Sequence, residues 1–230
     1  MLARNPYPDR TTDLVATAQR RPRGRPTGGG ISADQAKDVL MDAAEELFTT
    51  RGYRASTMEA IAAHAGYSRA AIYRQFPNRR ALVAAMVNRT TQSHIAAMLP
   101  RLPQGAGPMA ILVEALVIVA TELVSDPLLM TISEQAPDGT VASLIAEDPA
   151  LTQLVEATIA GIIATDAEVI RPGLRPYDVA QFVITTALTL LLQAVPGASD
   201  PAVARRYLHT FVLPAIVTDP PPPGPVFDGR

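Results

Sequence analysis

The nine residues Ser68–Phe76, SRAAIYRQF, carry two guanidinium groups, a phenol and two adjacent alanines. This set suits binding rather than bond-making. Arginine donates paired hydrogen bonds to a guanine edge or to a phosphate, so Arg69 and Arg74 can reach either, and Tyr73 adds a hydroxyl on a stiff stem. The alanines matter equally, because small side chains at Ala70 and Ala71 let a helix backbone approach base edges in a major groove roughly 12 Å wide. Ile72 and Phe76 lie one turn apart and should point inward, fixing the angle of the helix.

Catalytic chemistry finds no comparable residues. The chain has no G-x-S-x-G elbow, no P-loop and no H-E-x-x-H, and the carboxylates of its second half are spread as solvated helix faces. It contains no Cys and three scattered His, so neither a catalytic thiolate nor a metal site is expected, and no cofactor is implied. His64 reads as an exposed or packed side chain, not a ligand.

The elements needed to hold SRAAIYRQF are legible around it. From Asp34, Ala36, Val39, Leu40, Ala43, Ala44, Leu47 and Phe48 recur at spacings of three and four, which gives one apolar helix face ending at Gly52. STMEAIAAHAG follows, with Ser56 and Glu59 in capping-box spacing, Met58, Ile61, Ala62 and Ala65 on one face, and Gly66 as the stop. Only Gly66 and Tyr67 separate this short helix from Ser68, a good N-cap for the next. Pro77 ends that helix, and Asn78 can cap a longer one from Arg79 to Leu99. Two short helices meeting across a tight turn outline a helix-turn-helix.

With 230 residues, 48% hydrophobic content and 5% aromatics, the chain can build a large core from Ala, Leu, Val and Ile, which favours an all-α fold. Charge is unevenly distributed: residues 20–89 hold twelve Lys and Arg against six Asp and Glu, while residues 90–230 hold six against fourteen. A basic first segment suits a polyanionic partner, and an acidic second segment has another task. The apolar runs 109–120 and 182–195 are shorter than the ~18 residues needed to cross a bilayer. They read as buried helices, no membrane association is expected, and with no apolar run behind the N-terminal arginines a cytoplasmic location is the expectation.

Residues 39–87 closely resemble the DNA-binding region of TetR-family transcriptional regulators. The AAEELF helix, RGY, a Thr before the second helix, IA followed by AG and Ser, IYR with a following Phe, and a basic pair opening the fourth helix occur in order. The resemblance implies that Thr57, Tyr73 and Arg79 bind phosphates of double-stranded DNA while Arg69, Ala70, Ala71 and Arg74 face bases. Ser68 belongs to the same DNA-binding set, and Gln75 departs from the His often found at its position. The architecture implied is an N-terminal three-helix helix-turn-helix domain, residues 31–80, and a larger helical ligand-binding and dimerisation domain, residues 81–218.

In the second half, helical stretches are expected near 108–125, 127–136, 140–165, 176–195 and 200–217. The last two are apolar around much of their circumference and, by resemblance, pair in a homodimer. Residues 108–195 would surround a cavity for a small lipophilic ligand, with Thr121, Glu122, Gln153, Glu156, Thr185 and Thr189 as candidate polar contacts. The function implied is a repressor released from a palindromic operator by that ligand, with activation left open by the sequence. The alternative is an architectural or ligand-independent dimeric DNA-binding protein, which a sealed core would support.

Two segments flank this body. Residues 219–230 are Pro-rich and expected to be disordered. Residues 1–30 are read as a disordered basic arm, in which RRPRGRPTGGG stands out. Its Pro22–Pro26, PRGRP, resembles an AT-hook core, in which Gly24 permits close approach while Arg23 and Arg25 spread along a narrow A·T minor groove.

Overall fold

The computed structural model describes residues 32–136 and 140–227, and the fold of these residues is helical throughout apart from one isolated antiparallel bridge, Ile170 to Val217. Helix α1, Ala33–Arg51, opens on a capping box between Ser32 and Gln35 and ends at Gly52, whose φ of +86° is left-handed. Its buried residues Ala36, Leu40, Met41, Ala43, Ala44, Leu47 and Phe48 follow the sequence periodicity, while Val39 lies at the rim.

Helix α2, Met58–His64, starts one residue later than its sequence signal. Thr57 is the N-cap, accepting from the Ala60 amide (3.1 Å), whereas Ser56 is buried and donates to the carbonyls of Leu47 and Gly52 (3.1 and 2.9 Å). The expected Ser56–Glu59 box therefore does not form. The hydroxyl of Ser56 satisfies the end of α1, and this frees Glu59 to point elsewhere. Helix α3, Arg69–Gln75, is capped by Ser68, and α4, Arg79–Met98, by Asn78, both as their sequences indicate.

The remaining elements are α5 (Pro108–Thr121), a 3₁₀ turn (Leu123–Ser125), α6 (Pro127–Gln135), α7 (Thr140–Ala146), α8 (Pro149–Thr165), α9 (Pro176–Leu191) and α10 (Pro201–Tyr207). A π turn, Leu208–Val212, joins α10 to α11, Leu213–Ile216. Three differences from the sequence expectations have local causes. The stretch 140–165 is two helices, because Asp148 caps a new start at Pro149. Helix α9 stops at Leu191 rather than 195, where Gln193 takes a φ of +53°. The last helix widens into a π turn just ahead of Pro214, which has no amide proton to continue the ladder.

The Pro-rich tail also departs from expectation over its described part. Val226 is buried, its carbonyl accepts from Arg206, and Gly224 exchanges hydrogen bonds with the Thr210 hydroxyl. A single apolar side chain and three hydrogen bonds to backbone atoms lay this part of the tail along the last helix.

Two apolar cores organise the molecule. One is built from α1–α4 together with Leu123, Leu128, Leu129, Ile132, Val141, Leu144 and Ile145, so packing continues past residue 80 into α6 and α7. The other joins α5, α8, α9, α10 and α11 around Val117, Ile159, Val183, Leu190 and Leu208. The stretch Pro108–Ser125 reaches 18 residues and is long and apolar enough to span a bilayer, longer than the run counted from sequence because the 3₁₀ turn extends it. In the fold it is a core element, with Val113, Leu116, Val117 and Ala120 buried.

Candidate nucleic-acid interface and internal cavity

Helix α3 stands on Ile72 and Phe76, which are 0% and 4% exposed and anchor it in the first core. Ser68, Arg69, Ala70, Tyr73 and Arg74 are all exposed, and Ala71 is half-buried. Thr57, at the N-terminus of α2, is exposed as well. The structure thus brings the predicted Thr57, Ser68, Arg69, Ala70, Tyr73 and Arg74 onto the surface of one helix pair.

Glu59, which the sequence did not single out as part of this surface, links its members. The Arg69 guanidinium lies 3.1 Å from its carboxylate, the Tyr73 hydroxyl donates to it at 3.3 Å, and Arg69 sits 5.6 Å from the Tyr73 ring centroid. These contacts are exposed and weak individually, yet together they hold Arg69 and Tyr73 side by side on this surface.

Arg79 behaves differently from the rest. Its guanidinium donates to the Tyr53 carbonyl and stacks 3.9 Å from the Tyr53 ring centroid and 5.4 Å from that of Phe48. It is half-buried and clamps the start of α4 to the end of α1. Arg89 repeats the clamp one face along, with 2.6 and 3.1 Å contacts to Asp42 and Glu45. His64 pairs with Glu46 at 2.8 Å, and no cluster suited to a metal occurs among the described residues. Arg23 and Arg25 lie outside the described residues.

A cavity of about 150 Å³ opens between α4, α5, α7, α8 and α9. Aliphatic side chains, among them Ile95, Met98, Ile118, Leu188 and Leu191, make most of its wall, and the polar members are Thr91, His94, Arg101 and Glu122. Arg101 donates to both Glu122 oxygens at 2.6 and 2.5 Å, which holds that carboxyl below its usual pKa range. His94 meets Asp126 at 2.9 Å, and Asp126 also caps α6 by accepting from the Leu128 and Leu129 amides.

Of the six polar ligand candidates, only Glu122 lines this cavity. Thr121, Thr185 and Thr189 donate to carbonyls of their own helices, and Gln153 is exposed while Glu156 is half-buried outside the lining. Sequence reasoning missed Thr91, His94 and Arg101 because it looked beyond residue 108. The second half of α4 is polar without a break from Asn88 to His94, so no local contrast marked Thr91 or His94 as facing a void.

A short helix, a tight turn and a second helix exposing arginine and alanine define a helix-turn-helix, the class of proteins that insert one helix into DNA. Residues 40–86 match the family model for bacterial regulatory proteins of the tetR family. Among curated relatives it is 37% identical over 83 residues to the HTH-type transcriptional activator FasR of Mycolicibacterium smegmatis, covering 34% of this chain and 38% of that protein. It is 49% identical over 57 residues to an uncharacterized HTH-type transcriptional regulator of Mycobacterium tuberculosis, covering 25% and 28% of the two. These matches span less than half the length of either relative.

Solved structures extend the likeness to the whole fold. A TetR-family regulator from Pectobacterium atrosepticum superposes with a TM-score of 0.59 at 18% identity, over 82% of this chain and 97% of that one. NalD of Pseudomonas aeruginosa, described as the secondary repressor of the MexAB-OprM multidrug efflux pump, gives 0.51 at 20% identity over 81% and 98%.

Proposed function

We propose that this chain is a cytoplasmic, homodimeric repressor that reads a palindromic operator through α3 and leaves it when a small lipophilic molecule enters the cavity. The observation that carries the reading is the position of α4. Its first half, through Leu82, Val83, Met86 and Val87, belongs to the core beneath α3, and its second half, from Thr91 to Met98, lines the cavity. One rigid element therefore touches both candidate sites, so a ligand that favours a shifted α4 shifts the recognition helix with it. An open apolar cavity weighs against the architectural alternative, which calls for a sealed core.

Dimerisation is supported by the large apolar side chains exposed on the last helices and the turn after α9, namely Tyr177, Phe182, Leu192 and Phe211. Two-fold pairing would multiply the modest specificity of a single helix. FasR is named an activator and NalD a repressor, and a cavity whose occupant would loosen the chain from DNA favours repression.

Selection of bound sequences from random DNA tests the proposal. A palindrome with half-sites about one helical turn apart is expected. Failure to enrich any two-fold site would remove the sequence-specific reading.

A further inference from the structure

Many helical threonines of this chain share a habit. Thr121, Thr131, Thr158, Thr165, Thr185 and Thr186 each donate to the carbonyl four residues earlier, at 2.8 to 3.0 Å. Thr91, in α4, does not. Its Oγ is buried with no hydrogen-bond partner, the residue is 7% exposed, and it stands in the wall of the cavity. An unpartnered buried hydroxyl costs folding free energy, and a turn about χ1 would bring one that forgoes its own helix carbonyl to an incoming group.

The ionic groups beside it are already matched. Arg101 is bonded to Glu122 and His94 to Asp126, so an incoming carboxylate or ammonium would have to break one of these pairs to find a counter-charge. A void of about 150 Å³ with aliphatic walls suits an apolar body of roughly benzene size.

We propose that the cavity takes a small uncharged lipophile whose single oxygen is held by the Thr91 hydroxyl. The inference rests on the sensor reading above and adds the chemistry of the occupant. Thr91 donates to a ketone or ester oxygen, or exchanges hydrogen bonds with an alcohol, while Ile95, Met98, Ile118 and Leu188 cover the hydrocarbon part.

Calorimetric titration of the full chain with 1-heptanol, 2-heptanone, heptanoate and heptylamine tests this, alongside melting curves of Thr91→Val, Thr91→Ala and Thr91→Ser. The two neutral probes should bind at least about tenfold more tightly than the two charged ones. Thr91→Val should melt above the parent protein, having lost an unsatisfied group at constant volume, and yet bind both neutral probes about tenfold more weakly. Thr91→Ala should show the same loss of affinity, and Thr91→Ser should retain it. The proposal is overturned if heptanoate or heptylamine binds as well as the neutral pair, if no probe binds, or if affinity ignores the Thr91 hydroxyl. Thr91-dependent binding that leaves operator affinity unchanged would uphold the anchor and sink the sensor reading. An operator response with no dependence on Thr91 would do the reverse.

Discussion

Glu59 shows how one carboxylate can tune a basic surface. It holds Arg69 and Tyr73 together, but it also places a negative charge where phosphates would approach. Glu59→Gln should therefore strengthen binding to random-sequence duplex by a few-fold and narrow the gap between operator and random DNA, as read by gel shift at fixed salt. Arg74→Ala should act oppositely, costing about 1–3 kcal/mol of operator affinity if the guanidinium reads a base. A uniform loss across all sequences would reassign Arg74 to phosphate. At the cavity mouth the Glu122 carboxyl is stabilised as an anion by the hydrogen bond from Arg101. Its folded pKa is depressed, so its contribution is complete above the ordinary carboxylate range and disappears as pH falls through the lowered value. The stability difference between the parent protein and Glu122→Gln should be present at neutral pH in urea titrations and vanish under acid.

Helix α6 acts as a strut between the two candidate sites. Its N-terminus is capped by Asp126, which holds His94 of α4 beside the cavity. Its C-terminal residue, Gln135, accepts through its carbonyl from Arg54 Nε at 3.0 Å, in the α1–α2 connection. A Cβ on Gly52 would fall 2.8 Å from the Gln135 side-chain oxygen at a φ of +86°, so the end of α1 and the end of α6 lie close together there. Gly52→Ala should destabilise the fold by about 1–3 kcal/mol in denaturant titrations, from backbone strain and the displaced Gln135. Arg54→Ala should leave the fold and ligand-free operator binding intact while reducing the ligand-induced drop in DNA affinity. An undiminished drop would show that α4 alone carries the signal.

At the scale of the whole molecule the chain separates tasks by charge and by apolar exposure. Phe211→Glu should convert a dimer into a monomer in sedimentation and weaken operator binding, because Phe211 is 53% exposed in the single chain at the π turn of the last helix. The basic arm belongs to this scale too, as a proposed second DNA contact tethered to the first helix. Replacing Arg23 and Arg25 by Ala should lower the slope of log affinity against log salt by up to about 2. An unchanged slope and affinity would return the segment to a linker.

The sequence by itself determined what local physics decides. Gly52, Gly66, Ser68, Pro77 and Asn78 act through neighbours a few residues away, so the first four helices, and the apolar anchors Ile72 and Phe76, were readable before any fold was known. The exposed face of α3 followed from them. Contacts between distant segments were another matter. The inward turn of Arg79 depends on Tyr53 and Phe48, the Arg69–Glu59 pairing on the angle between α2 and α3, and the docking of Val226 on α10. The cavity was least legible of all, because a void is the gap left after five helices have packed. Which hydroxyl borders it without a partner is fixed by that packing, and periodicity along one helix carries no record of it.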